Sequence, residues 1–414
     1  MCDVGRYRYY LIFESLYQFI LNEVIWWNMK KIYQHWIKFF TFVAFSLKVV
    51  TAITNGHRVL GEKRYMVYFL AAPPLEFSAW TCGGVIITKD YVLTSASCIQ
   101  NVPHAYVING YNRYVNAEQM EKDECIMQKR KKVINFCHPK SYDGTKVFNN
   151  DFVWSLGDIC VAQVDTPFAF NDRSYYDVCS YPPAYIGVNF YSHFDGGGID
   201  VVNLGWGHAQ YYRPEGEFLD MNEEFLRFSS GTTTNITDCQ ARNKAAIDKI
   251  SISNHFKKFF ICVEEPGNLD ENGDIINENT QFFDTCNDTY DPLSIGRKGV
   301  DKKNCMEVLR ARINYTSEHV GGFCQNDHGG PLVAWIGGHE TVIGIASLFS
   351  VSDDMRCRPP YLYTATASIN KLLACYIWSN FTSSRRRQMY CDDVITEMDY
   401  TQQNVAWSDE RTIS

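Results

Sequence analysis

From Tyr65 onward the chain is written in short runs of β-branched and aromatic residues, separated by Gly, Pro and Asn. Such punctuation ends a strand within about 4–8 residues and supplies the turn that follows. Val85-Ile86-Ile87 and Tyr91-Val92-Leu93 read as two strands joined by a turn. Val107-Ile108-Asn109-Gly110 and Val133-Ile134-Asn135 read as further strands. Helical periodicity is confined to the stretches from Thr237 to Ile250 and from Ser368 to Trp378. The expected fold class is all-β with two short helices.

Composition narrows the function classes. Of 414 residues, 46% are hydrophobic and 21% charged, which suits a globular domain with a sizeable core. A net charge of -8 gives no reason to expect a nucleic-acid partner. There are 15 cysteines, yet no C-x-x-C or Cys/His ligand spacing, so neither a metal nor a cofactor is expected.

The N-terminus reads as an export leader over residues 1–52. Met29-Lys30-Lys31 is a basic start, Phe39 to Leu47 an apolar run, and Val50-Thr51-Ala52 a small-residue cleavage pattern. Met29 is the start such a leader would have, with residues 1–28 upstream of it. The apolar run is too short to span a bilayer, so no stable membrane span is expected. The alternative is a membrane-anchored N-terminus built from Tyr9 to Leu47, which Glu14, Glu23 and several lysines interrupt. Export makes the sequons at Asn235, Asn287, Asn314 and Asn380 candidate glycosylation sites.

Six ordered motifs carry the functional signal. They are Thr81-Cys82-Gly83-Gly84 running to Leu93-Thr94-Ser95-Ala96-Ser97-Cys98, Gly157-Asp158-Ile159-Cys160-Val161-Ala162, Gly205-Trp206-Gly207, Gly321-Gly322-Phe323-Cys324-Gln325-Asn326-Asp327-His328-Gly329-Gly330-Pro331-Leu332, Ile343-Gly344-Ile345-Ala346-Ser347 and Pro360-Tyr361-Leu362-Tyr363-Thr364. In order and spacing the set resembles the chymotrypsin/trypsin-like serine peptidases. The resemblance implies two antiparallel β-barrels with the site at their junction, a short C-terminal helix, and a peptidase domain over residues 53–379.

The same resemblance locates departures from the family's chemistry. His328 stands at the nucleophilic serine, Ser97 at the general-base histidine, and Asp158 keeps the orienting acid. Acyl transfer needs a hydroxyl or thiol nucleophile and a base to activate it. Asn326 occupies the glycine position whose amide helps build the oxyanion hole, where a side chain is expected to disturb the backbone. The specificity pocket has uncharged Gly322 at its base, and Phe349 and Tyr361 replace the glycines of its walls. Ile53-Thr54-Asn55-Gly56 is similar to the family's mature start, implying a latch between a freed Ile53 α-amino group and Asp327. The leading reading is a secreted homologue without catalytic His and Ser that binds an extracellular protein as cofactor, decoy or scaffold. The alternative is a divergent active serine-type endopeptidase, with Ser97 and His328 as a reversed dyad.

For the cysteines the resemblance implies Cys82–Cys98, Cys239–Cys262 and Cys324–Cys357, and leaves Cys286 and Cys305 to pair inside an insertion. Cys125, Cys137, Cys160, Cys179, Cys375 and Cys391 stay open. If one extended strand carried Cys125 and Cys137, about 12 residues at roughly 3.3 Å each would put them beyond disulfide reach. The insertion is residues 264–320, and from Glu264 to Asp291 it holds nine acids and no Lys or Arg. Asn268 to Ile275 partly resembles a calcium loop, but Asn279 stands at its twelfth position, so a solvated acidic loop is the expectation. Asp270, Glu271 and Asp274 are its candidate steering charges. A tail over residues 380–414 carries Arg385-Arg386-Arg387; it reads as disordered, a processing site or a docking segment.

Overall fold

A computed structural model of the chain describes residues 56–407, apart from 73–78, 144–154, 192, 209–210, 215, 218, 244–255, 277–321 and 379–399. Ile53, Cys286, Cys305, Asn287, Asn314 and Asn380 lie outside the described residues.

The strands fall in chain order as β1 His57–Arg58, β2 Met66–Ala71, β3 Cys82–Ile86, β4 Tyr91–Thr94, β5 Ala105–Ile108, β6 Lys131–Pro139 and β7 Cys160–Val164. They continue as β8 Gly187–Val188, β9 Asp200–Gly205, β10 Arg227–Thr234, β11 Phe260–Pro266, β12 Pro331–Ile336, β13 His339–Val351, β14 Cys357–Ala365 and β15 Tyr400–Asn404. The order β6-β5-β2-β3-β4-β7 returns on itself through β6–β7 pairing, and β10-β11-β14-β13-β12-β9 does so through β9–β10. These are two closed six-stranded antiparallel barrels. Closure pairs the edges that an open sheet would leave exposed.

Core strands such as β2, β3 and β4 are buried at every position, so their sequences read as continuous apolar runs. Met66, Tyr68, Leu93 and Ile108 of the first barrel share one apolar cluster with Val202, Leu204, Val333 and Ile345 of the second. Val201 and Ala334 are both buried in another apolar cluster.

The C-terminal helix Asn370–Trp378 forms as expected, preceded by a 3-10 turn over Thr366–Ile369. It buries Leu372, Leu373 and Tyr376 in the shared cluster, and Tyr376 meets Tyr91 edge-on at 4.7 Å. The other expected helix is described over Ile236–Arg242. Short helices also form at Glu124–Lys129, Tyr175–Val178 and Phe256–Phe259, which sequence periodicity did not single out. Among the described residues no helix is long and apolar enough to cross a membrane.

Two findings answer points that the sequence left open. Cys125 and Cys137 do not share a strand: Cys125 sits in the Glu124–Lys129 helix, whose start Asp123 caps through Ile126 N–H. Cys125 pairs with Cys179, tying that helix to Tyr175–Val178. Cys137 and Cys160 are buried free thiols, and Cys375 is disulfide-bonded. The tail, second, returns to the first barrel. β15 pairs antiparallel with β6 from Tyr400↔Pro139 to Asn404↔Asn135. Trp407 anchors its end, donating Nε1–H to Val133 O at 2.8 Å beside His104 and Tyr106.

Candidate functional site

The site is assembled where a loop of each barrel meets. Gly83 N–H donates to His328 O at 2.7 Å. A Cβ on Gly83 would stand 2.8 Å from Gly330 Cα, so only glycine lets these two backbones approach. The Cys82–Cys98 disulfide closes the loop that presents Ser97. Cys324–Cys357 braces the loop that presents His328, and Cys239–Cys262 joins the Ile236–Arg242 helix to β11. All three pairings match the expectation.

Asp158 is fully buried and well supplied with donors. It accepts Ser97 N–H at 2.8 Å, Ser97 Oγ–H at 3.1 Å and Ser347 Oγ–H at 2.9 Å. Burial pushes its carboxyl up to about 6, against the pull of those donors. The Ser97 hydroxyl lies 3.0 Å from Ser95 Oγ as well. Among the described residues its partners are Asp158 and Ser95, not His328. The structure therefore does not join Ser97 and His328 into the reversed dyad.

His328 belongs to an aromatic cluster instead. Its ring meets Phe323 at 6.0 Å and Phe349 at 5.7 Å, and Nδ1 is buried without a hydrogen-bond partner among the described residues. Burial pushes the imidazole down to about 4, only partly offset by the Ser347 backbone, so the ring is neutral at physiological pH. Phe323 contacts Phe349 at 5.5 Å, Tyr361 at 5.7 Å and Tyr363 at 5.0 Å. Tyr361 is fully buried over Gly322, where an added Cβ would fall 2.1 Å from its ring. Gly322, Phe349 and Tyr361 are thus brought together, with the tyrosine ring in the space beside the glycine. Phe323 and Tyr363 are members that sequence reasoning missed; their signal was two aromatics inside otherwise recognisable motifs.

Asn326 corrects the expectation for its position. It holds the left-handed conformation at φ 71°, which asparagine tolerates better than most residues. Its Nδ2 reaches Asn222 Oδ1 at 2.8 Å, Ala79 O at 3.2 Å and His208 Nε2 at 3.3 Å. His208 is fully buried with Nδ1 on Tyr211 O, and burial pushes its pKa down to about 4, consistent with a neutral ring accepting at Nε2. The loop keeps its turn because the side chain that replaces hydrogen is tied down. Next to it, Asp327 accepts Gly207 N–H at 2.7 Å and Cys324 N–H at 3.2 Å. Burial pushes that carboxyl up to about 7. Cβ atoms on Gly205 or Gly207 would collide with it, so the Gly-Trp-Gly motif makes its room.

The insertion is only partly the solvated loop expected. Asp270 Oδ1 accepts the amides of Asn272 at 2.8 Å and Asp274 at 2.9 Å, closing a turn on itself. Glu271 is buried, not solvated: its Oε1 accepts Leu60 N–H at 3.2 Å. Buried Lys63 donates to Glu271 O and ion-pairs with Glu340 at 2.5 Å. Of the three steering candidates, Asp274 is the exposed one. Asn235, the sequon inside the described residues, precedes the Ile236–Arg242 helix.

Parts of the chain are similar to known proteins. The family model described as Trypsin matches residues 53–181. Over 98 residues the chain is 37% identical to a chymotrypsin of Phaedon cochleariae, covering 24% of this chain and 33% of that protein. Over 133 residues it is 31% identical to venom serine protease 34 of Apis mellifera, covering 31% of this chain and 28% of that protein. The chain thus spans about a third of the length of these relatives. Among solved structures, human heparin binding protein aligns at 16% identity, with 77% of this chain and 93% of that one covered and a TM-score of 0.41. Residues 53–181 thus match the trypsin family model, and the described residues form the two closed antiparallel barrels that the sequence resemblance implied.

Proposed function

We propose that this domain is a secreted serine protease homologue that binds an extracellular protein instead of hydrolysing one. The observation that carries the reading is the aromatic cluster of Phe323, His328, Phe349, Tyr361 and Tyr363. It fills the side of the junction where a substrate side chain would have to enter, and it holds a neutral imidazole at the nucleophile position. Among the described residues Asp158 meets no imidazole and is satisfied by serine donors. Export is supported by the disulfides, which persist in oxidising compartments.

The second reading, a divergent endopeptidase, draws on one observation: the half-buried Ser97 hydroxyl lies on a carboxylate. Covalent labelling by an organophosphonate serine probe separates the two. No labelling of the purified mature protein is expected, and stoichiometric labelling at Ser97 would establish the enzyme.

Maturation follows from the same reading. Cleavage after Ala52 frees the Ile53 α-amino group, which pairs with Asp327. Among the described residues Asp327 has amide donors and no cation. An ammonium there would restore its charge, since a buried carboxylate is costly until paired. Mass spectrometry of the secreted protein is expected to find Ile53 first; a start well upstream excludes the latch.

A further inference from the structure

Asn235-Ile236-Thr237 is an N-x-T sequon at the end of β10. Its Oδ1 accepts Thr237 N–H at 2.9 Å. Among the described residues, Nδ2 of Asn235 has no partner. A glycan replaces one hydrogen on Nδ2 and leaves Oδ1 untouched, so this hydrogen bond survives the modification. Most asparagines that hold a fold through their amide lose a donor when glycosylated; Asn326, bonded through Nδ2 in three directions, is one.

Beside Asn235 lies an open groove of about 470 Å3. One wall is Gly196, Gly197 and Gly198; the other carries Asp238, Arg242 and Glu265. The glycine wall is built for close approach. Gly197 sits at φ 79°, and a Cβ on it would strike Asn235 N at 2.4 Å. Gly196 and Gly198 meet nothing within 4 Å of such a Cβ, so their faces stay open. The groove therefore combines bare backbone on one side with charged hydrogen-bonding groups on the other. That suits a compact polar ring bearing hydroxyl and acetamido groups.

We propose that Asn235 carries an N-linked glycan whose first N-acetylglucosamine lies along this groove. In the transfer, Nδ2 bonds to C1 of the sugar of a lipid-linked oligosaccharide diphosphate. The C1–O bond breaks, the lipid diphosphate leaves with that electron pair, and Nδ2 loses one proton. The proposal rests on the export reading, because only a chain in the secretory pathway meets that donor.

Two arms keep the claims apart: the full chain secreted by a eukaryotic cell, and the same chain with a heterologous leader in place of residues 1–52. Glycopeptide mass spectrometry of the second arm is expected to find N-acetylhexosamine on Asn235. Thr237→Ala and Asn235→Asp should each remove the mass of one glycan, and both keep an acceptor for the residue 237 amide. An amidase that hydrolyses the Cγ–Nδ2 amide bond, leaving aspartate and releasing the glycosylamine, should act on this glycan at least tenfold faster in denatured than in native protein. Unmodified Asn235 in the second arm overturns the proposal, and equal release rates overturn the groove seating. Failure of secretion in the first arm alone counts against the leader and not against this site.

Discussion

Tyr361→Ala tests whether an aromatic ring really occupies the space beside Gly322. The side chain is fully buried, and its hydroxyl donates to Cys357 O at 3.3 Å. Its removal should therefore cost mainly packing, about 3–5 kcal/mol for a large aromatic truncated to alanine. In a domain of this size that lowers the melting temperature by on the order of 10 °C. Gly322→Ala attacks the same contact from the other side. Its Cβ would stand 2.1 Å from the Tyr361 ring, an overpacking worth about 1–3 kcal/mol. The two costs should not add. With the ring gone, the alanine at residue 322 has room, so the double variant should be no less stable than Tyr361→Ala alone, as urea denaturation of the four proteins would measure. The vacated space is walled by Phe323 and Tyr363, so p-cresol should refill it and raise the melting temperature of Tyr361→Ala only. At a hundredfold excess over its dissociation constant that is about 2.7 kcal/mol. Additive costs, together with no response to p-cresol, would refute the placement of the ring and with it the filled-pocket argument.

Other outcomes follow from the same geometry. Restoring Ser97→His and His328→Ser together should yield turnover no higher than background on broad peptide libraries, because Phe349 and Tyr361 remain; robust turnover would show an open pocket. His328 has a folded pKa near 4, below its unfolded value of about 6.5, so its contribution is present above 6.5 and is lost as pH falls through 4. His328→Leu should flatten that acid limb, and a stability-versus-pH curve parallel to the parent's would exclude the half-buried neutral ring. Asn326→Ala should be less stable than Asn326→Gly by about 1 kcal/mol, since both lose the amide's bonds but only alanine is strained at φ 71°; equal stability would mean that the turn has relaxed. Trp407→Ala should abolish hydrogen-exchange protection in residues 401–405 while β6 stays protected by β5 and β7, and unchanged protection would show that β15 holds without its anchor.

The barrels were legible because their strands are local. Each core strand is a short apolar run bounded by turn residues, and the motifs fix their order. The Cys82–Cys98 disulfide was readable for the same reason, since one motif holds both cysteines, and Cys324 sits in a motif whose family resemblance points to Cys357. Cys125 was not. Its helix is six residues long, and what secures it is the Asp123 cap and a bond to Cys179, 54 positions away. β15 was equally hidden. Tyr400-Thr401-Gln402-Gln403-Asn404 is a polar run whose pairing depends on a strand more than 260 residues earlier, and no periodicity in either segment encodes that meeting.

At the site, residue identity was legible and residue environment was not. Histidine at residue 328 is plain in the sequence, but its neutrality follows from the desolvation that comes with packing against Phe323 and Phe349. Asparagine at residue 326 reads as damage to a glycine turn until Asn222, Ala79 and His208 are seen to hold its amide. Glu271 makes the point most sharply. Within its loop it is one acid among nine, and a count of charges assigns it to solvent with Asp270 and Asp274. The fold instead brings in Leu60 and Lys63, more than 200 positions upstream, and buries the glutamate against them. Neutralising all three acids would therefore mix a surface effect with loss of a buried contact. Only Asp274 is exposed, so Asp274→Asn is the substitution that isolates the long-range field, and any slowing of association it causes must disappear as salt shortens the Debye length.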